Sequence, residues 1–514
     1  MNHWALHAPW KKSTGWIVLG ASLVACTLLC LHLKLRYLVV FDSVNFAFAL
    51  QRFDVTLHQP HPPGYPGYVF LTKLLHRALP DPTAVFFTAG ILATALTAWL
   101  LTRLGDAMEN AKAGVAAAVL FIFNTSNTSS IIISSVRNYL AVTSALIAWL
   151  AWLTLTRERP RLFFFLTFIC LGLFSSFRPE LILTLLPLVL WAAAQRKLPL
   201  RDYCIGALLC AAAILLWLVP TARPAGGLLP YLKFVRDFFA YQASSAARLN
   251  RQFSSYPLLY MTWKSASWAF LSAITWIWIV PFTWKRQECI QQKRTLWFLA
   301  FWLVPGFVFS SVVHINSSGH ALATVTAVCM IGGMIIASIR SDFLFITALV
   351  IASLGNFYIF EHPIIPFDDA SVLRIRYQDR YLGQMTEELL GLRHFKQLVL
   401  VTDNSSLNWR TMHYYLPDTP LLDISGDHSG ALLYTGGHRP TRLTPNDTVK
   451  LPPCGIIAWI VDNPQRNLIP QVPSAVIPGW QGLVTLTRST PALNLTVSGM
   501  HVESDAAACP QAPL

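Results

Sequence analysis

Charge is what this sequence has least of. Asp, Glu, Lys and Arg together make up 12% of its 514 residues, about half the share of an ordinary soluble domain. Carboxylates are scarcest early: 11 Asp+Glu occur up to residue 360 and 14 from there on. No CxxC pair and no Cys/His cluster at metal-ligand spacing is present, so nothing points to a cysteine-based zinc or redox centre. Internal repeats and low-complexity tracts are absent too. No small-residue cleavage site follows the first apolar run, which therefore reads as an anchor and not as a removed signal peptide. The net charge of +14 is no sign of nucleic-acid binding. It splits into +17 up to residue 360 (28 Lys+Arg against 11 Asp+Glu) and −3 beyond it (11 against 14). The basic excess thus belongs to the apolar part, where cytoplasmic loops and lipid phosphates account for it.

What the chain has in quantity is hydrophobic surface, 54% of its residues. Runs of transmembrane length recur from Trp16 to Phe360. They predict about eleven membrane helices, near 16–33, 84–102, 113–130, 138–156, 162–177, 181–194, 203–220, 265–283, 295–313, 321–339 and 343–360. Lys11 and Lys12 before the first run put the N-terminus in the cytoplasm, and every loop then expected inside is basic. The expected location is the plasma (inner) membrane. Residues 1–360 form the membrane domain, with a first outer loop at 42–83 and a large one at 221–263. The third run is expected to end in an outside turn rich in Asn, Thr and Ser. Residues 361–514 are expected outside as a small α/β domain, with strands at Leu398–Val401, Ile456–Val461 and Leu483–Leu486 and a helical stretch near 405–416. Cys454 and Cys509 are the two cysteines of that segment and a disulfide candidate in an extracytoplasmic setting. The other seven cysteines fall in or between spans and read as apolar packers.

Elimination narrows the chemistry. Of the 11 acidic residues up to 360, Asp106, Glu109, Glu158, Asp202, Glu288 and Asp342 map to the inside, leaving Asp42, Asp54, Asp81, Glu180 and Asp237 outside. A hydroxyl acceptor needs a general base, and carboxylates serve in glycosyl chemistry. Asp42 ends the first span beside a stiff segment, His61-Pro62-Pro63-Gly64-Tyr65-Pro66, in which the prolines fix φ and Gly64 permits one sharp turn. The same position suits a helix cap, for Asp42 or for Ser43, and the two roles are compatible. A short helix is expected at 43–54 and a second, interfacial one from Pro66. Asp54 is a runner-up base, with a solvated helix end as its plain alternative.

Arg137 and Arg178 open the fourth and sixth spans from outside. Charges this near hydrocarbon are costly unless paired, and planar guanidinium groups suit phosphate oxygens. Arg178 has Glu180 two residues on as a structural partner; Arg137 has no neighbouring acid in the sequence. His314 and His320 flank an outer turn able to donate to sugar or phosphate. His58 and His61 have metal-capable rings, but no His/carboxylate spacing is diagnostic, so no metal site is assigned. Tyr65 and Tyr68 offer faces for sugar stacking, or ordinary interfacial anchoring.

A first span, then Asp42-Ser43, then His61 to Pro66 about twenty residues on, resembles the GT-C superfamily of membrane glycosyltransferases, in particular protein O-mannosyltransferase-like members with the same HPPGYP segment. Arg178-Pro179, the His314–His320 turn and an outer α/β domain are weaker likenesses. The resemblance implies a polyprenyl-phosphate-linked, mannose-like sugar as donor, transfer at the outer face, Asp42 in the catalytic acidic position and Arg178 at the donor phosphate. Related members often have Asp-Ser-Gly-Glu where this chain has Asp42-Ser43-Val44-Asn45, and several carry Glu where Arg137 stands. The resulting expectation is an inverting transferase to a protein, glycan or lipid hydroxyl, with no cofactor required and a divalent metal as the open variant. Asp54, His58 and Glu180 are accessory candidates. A lipid or sugar transporter or flippase is the rival reading, and a non-catalytic scaffold the third.

Overall fold

A computed structural model describes residues 12–38, 40–135, 137–253, 256–283, 292–313, 318–363, 371–394, 397–403, 407–424, 431–435, 440–444, 447–451, 456–460, 484–488, 494–497 and 500–504. The chain divides into two compact units: Met1–Lys34 with Arg52–Ile375, and Leu35–Gln51 with Arg376–Leu514. The division is therefore not a single cut near residue 360. The short segment that carries Asp42 belongs to the unit of the C-terminal domain.

The first unit is helical, as lipid demands: only a helix or a closed barrel satisfies every backbone amide without water. Its helices are α1 (Lys12–Leu33), α3 (Pro66–His76), α4 (Pro82–Ala107), α5 (Ala111–Ile122), α6 (Thr125–Ile132), α7 (Tyr139–Thr156), α8 (Pro160–Phe174), α9 (Glu180–Gln195), α10 (Leu200–Ala222), α11 (Leu228–Phe253) and α12 (Pro257–Phe270), then Lys293–Val312, Leu322–Ala337 and Asp342–Glu361. Among the described residues seven helices are long and apolar enough to cross a membrane, and two bent pairs bring the number to nine. The two shorter apolar helices, α8 and α9, complete the eleven runs read from the sequence.

The bend in the third run corrects one expectation. The Asn/Thr/Ser stretch is not an exposed turn but the helix α6, turned 47° from α5 and buried at every residue. Asn124 caps it by accepting from the Ser126 amide at 3.0 Å and donates to Ser272 Oγ at 3.0 Å. Asn127 Oδ1 accepts from Thr94 Oγ1 at 3.1 Å and from Asn138 Nδ2 at 3.2 Å. Neutral polar groups pairing with one another let a hydrophilic sequence stay inside. Close helix approach comes from small residues: a Cβ on Gly105 would lie 2.4 Å from the Gly114 Cα.

The second unit holds α2 (Phe41–Gln51) and a six-stranded sheet in the order β4-β3-β2-β1-β6-β7. The strands are β1 (Leu398–Thr402), β2 (Leu421–Asp423), β3 (Ala431–Tyr434), β4 (Thr441–Leu443), β6 (Ile456–Ile460) and β7 (Thr485–Arg488); β5 (Thr448–Leu451), β8 (Asn494–Val497) and β9 (Met500–Ser504) make a second, three-stranded sheet. β1 runs parallel to β2 and β6, and the outer pairs are antiparallel. β1 and β6 are buried along their whole length, which is why they read as unbroken apolar runs. The expected helical stretch is present as Trp409–Tyr415. Cys454 and Cys509, the disulfide candidate, lie outside the described residues.

Candidate functional site

The stiff segment is built into the first unit by its own turn chemistry. Asp54 accepts from Thr56 N at 3.0 Å, from Thr56 Oγ1 at 2.7 Å and from Arg52 Nη2 at 3.2 Å, and its backbone pairs with Gln59. It is a buried cap, and its carboxylate is engaged in holding the loop, not in ending a solvated helix. The Gly64 amide bonds to the His61 carbonyl at 3.0 Å. Gly64 sits at φ +95°, where a Cβ would stand 2.6 Å from Val55 Cγ1, so both conformation and space require glycine. Tyr65 adopts φ 45° as the residue before Pro66, which opens α3. A tyrosine in the left-handed region is strained, and the surroundings must hold it there.

Those surroundings come from other loops. Tyr231 of α11 is 2% exposed and donates its hydroxyl to the Pro63 carbonyl at 2.7 Å. Burial pushes this phenol above its ordinary value, so it remains a donor. The Gly67 amide bonds to the Ser176 carbonyl at 3.3 Å. His58 lies edge-on to Phe238, centroids 5.7 Å apart, and His61 lies 5.9 Å from the same ring.

Arg178, just before α9, is the group these loops converge on. Its guanidinium bonds to the Glu180 carboxylate, lies 5.3 Å from the Tyr65 ring centroid, and contacts His320 Nε2 at 3.1 Å. Arginine has no acceptor, so His320 Nε2 is the accepting atom of this contact. Arg137 is buried beside the same turn: a Cβ on Gly319 would meet its Cδ at 3.0 Å. Arg178 thus meets a carboxylate, a histidine and an aromatic face, and Arg137 packs on the turn that carries that histidine. Planar guanidinium groups fixed in this way have the geometry to bind phosphate or carboxylate oxygens.

The sequence-derived candidates thus sort into groups. Tyr65, Arg178, Glu180 and His320 touch directly, and Arg137 packs on the adjoining Gly319. His61 contacts Tyr65, with ring centroids 5.2 Å apart, and His58 joins the group through Phe238. Tyr68 is 2% exposed between Phe86 and Tyr139, with centroids at 6.2 and 5.7 Å, so it is packing and not an open sugar platform. Tyr65 is 7% exposed, and Arg178 covers one of its faces. Asp42, half-buried in the first turn of α2, stands in the other unit. His314 lies outside the described residues. Among the described residues no three His, Cys, Asp or Glu side chains gather in a way that would hold a metal. Sequence reading missed Tyr231, whose only signal was an aromatic in the long segment 221–263 expected outside.

No family model matches the sequence, and no curated protein matches it. The fold does match. ArnT from Cupriavidus metallidurans bound to undecaprenyl phosphate aligns at a TM-score of 0.55 and 11% identity, over 93% of this chain and 99% of that one. The fold is GT-C-like. The apo state of the same ArnT shares this GT-C-like fold at a TM-score of 0.54 and 11% identity, over 93% and 98% of the two chains. The apo oligosaccharyltransferase of Archaeoglobus fulgidus aligns less well, at 0.46 and 12% identity, over 80% of this chain and 64% of that one.

Proposed function

We propose that this chain is an inverting glycosyltransferase that moves a sugar from a polyprenyl-phosphate donor to a hydroxyl acceptor at the outer face of the membrane. The observation that carries the reading is Arg178, held by Glu180, His320 and the Tyr65 face, with Arg137 packed on Gly319 next to His320. That arrangement holds guanidinium donors on fixed side chains, which suits a phosphate monoester leaving group. The GT-C-like fold shared with a chain crystallised with undecaprenyl phosphate supports a lipid phosphate over a soluble one. In the reaction, Asp42 takes the proton of the acceptor hydroxyl. The oxygen forms a bond to the anomeric carbon from the face opposite the donor phosphate. The bond from that carbon to the phosphate oxygen breaks, its electron pair leaves with the polyprenyl phosphate, and Arg178 and Arg137 stabilise the added charge. A mannose-like sugar is the donor group the HPPGYP segment favours.

The test is to supply the purified, membrane-reconstituted protein with a panel of polyprenyl-phosphate sugars and acceptors and to follow release of the phosphate lipid. Asp42→Asn is expected to abolish transfer while donor binding persists; transfer at the wild-type rate in that variant would refute the assignment. The two bent helix pairs favour one rival, a flippase for the same donor, since broken helices serve transporters. Donor crossing the bilayer with no phosphate lipid released would decide for it.

A further inference from the structure

The helix that carries Asp42 is anchored within the second unit, and the anchor is a buried cation. Arg410, on the helix Trp409–Tyr415, is 1% exposed. Its Nε donates to Asn45 Oδ1 at 2.8 Å, and its guanidinium carbon lies 4.4 Å from the Phe48 centroid and 5.4 Å from that of Trp409. Asn45 follows Asp42 and Phe48 follows Asn45 at the same spacing of i, i+3, so Arg410 grips one stripe of α2. Phe48 is stacked on His413 at 5.0 Å and edge-on to Tyr414 at 5.3 Å.

The gripping helix is itself fixed to the sheet. Asp423 of β2 accepts from the Trp409 amide at 2.8 Å, and Tyr434 of β3 bonds through its hydroxyl to His413 and to the Pro417 carbonyl. On the other side of Asp42 the chain is pinned again: the Leu38 amide donates to Tyr415 Oη at 2.6 Å, and Arg36 pairs with Glu387 at 2.9 Å. Burial lowers the Arg410 guanidinium to about 10, so it stays charged near neutrality. An apolar side chain would pack α2 as firmly without the cost of burying a charge. What a guanidinium adds is direction: a bond to one atom of α2 that fixes its rotation and axial register.

We infer that Arg410 is a positioning residue for Asp42, and that the C-terminal unit works in the transfer reaction by setting where that carboxylate stands. The inference rests on the reading of Asp42 as the base. A misplacement of about 1 Å lowers turnover about a hundredfold, whereas donor binding, which uses Arg178 and Arg137, is untouched. Arg410→Met is therefore expected to lower kcat by about ten- to a hundredfold, with the KM for donor near wild type and the protein folded at the assay temperature. Should that variant fail to fold, Asn45→Leu removes the same bond from α2 and carries the test.

Asp42→Asn is measured alongside, so the two failures are distinguishable. Full activity in Asp42→Asn removes the base and the positioning inference with it. An inactive Asp42→Asn beside a folded Arg410→Met or Asn45→Leu with wild-type kcat overturns the positioning inference alone. A double variant no slower than the worse single variant supports one shared bond.

Discussion

Removing the positive charge at Arg178 separates structure from chemistry. Its side chain is 14% exposed and that of Glu180 is 24% exposed, so neither is well served by water once its partner goes. Leaving a part-buried carboxylate without its donor costs about 1–3 kcal/mol of folding stability. Arg178→Gln and Glu180→Gln break the same pair from opposite ends and are expected to lower the unfolding midpoint by similar amounts. Catalysis should divide them. A fixed donor aimed at developing charge is worth about 2.7–4 kcal/mol, or about a hundred- to a thousandfold in kcat. Arg178→Gln should lose that factor, while Glu180→Gln keeps the cation and should lose far less. Release of polyprenyl phosphate at saturating donor gives the rate, and thermal unfolding gives the stability. Equal losses of turnover in the two variants, or an Arg178→Gln enzyme within about threefold of wild type, would refute the leaving-group role and leave a structural ion pair.

Gly64→Ala forces a Cβ to 2.6 Å from Val55 Cγ1 at φ +95°; a loss of about 1–3 kcal/mol is expected from strain and overpacking, read as a lowered unfolding midpoint. Asn127→Leu strips the acceptor from Asn138 Nδ2, while the Thr94 hydroxyl keeps the Gly90 carbonyl, and should cost about 1–3 kcal/mol for the buried donor left unmet, again by thermal unfolding, with transfer reduced only in proportion to folded protein.

Hydropathy made the membrane helices legible because lipid allows few alternatives: each of the eleven expected runs coincides with an apolar helix or bent pair. The six-stranded sheet was legible at its centre for a similar reason, since strands such as Leu398–Thr402 and Ile456–Ile460 are covered on both faces. α6 was misread because its Asn, Thr and Ser side chains cancel one another inside, and pairing between residues such as Asn127 and Thr94 leaves no trace in local composition. The candidate site was legible one residue at a time. Its assembly was not: Arg178 and His320 are 142 residues apart, and Asn45 and Arg410 are 365 apart. The attachment of α2 to the C-terminal unit likewise depends on contacts that no window of sequence contains.

The brevity of α8 and α9 has a consequence for the surrounding lipid. At 15 and 16 residues and about 1.5 Å per residue, they reach about 22–24 Å, against a hydrocarbon layer of about 30 Å. Embedded there, they oblige neighbouring acyl chains to compress, at fractions of a kcal/mol per ångström of mismatch. Headgroups dip toward such a spot. On the proposed reading, that dip beside the end of α9 where Arg178 stands delivers a lipid phosphate sideways, without its leaving the leaflet.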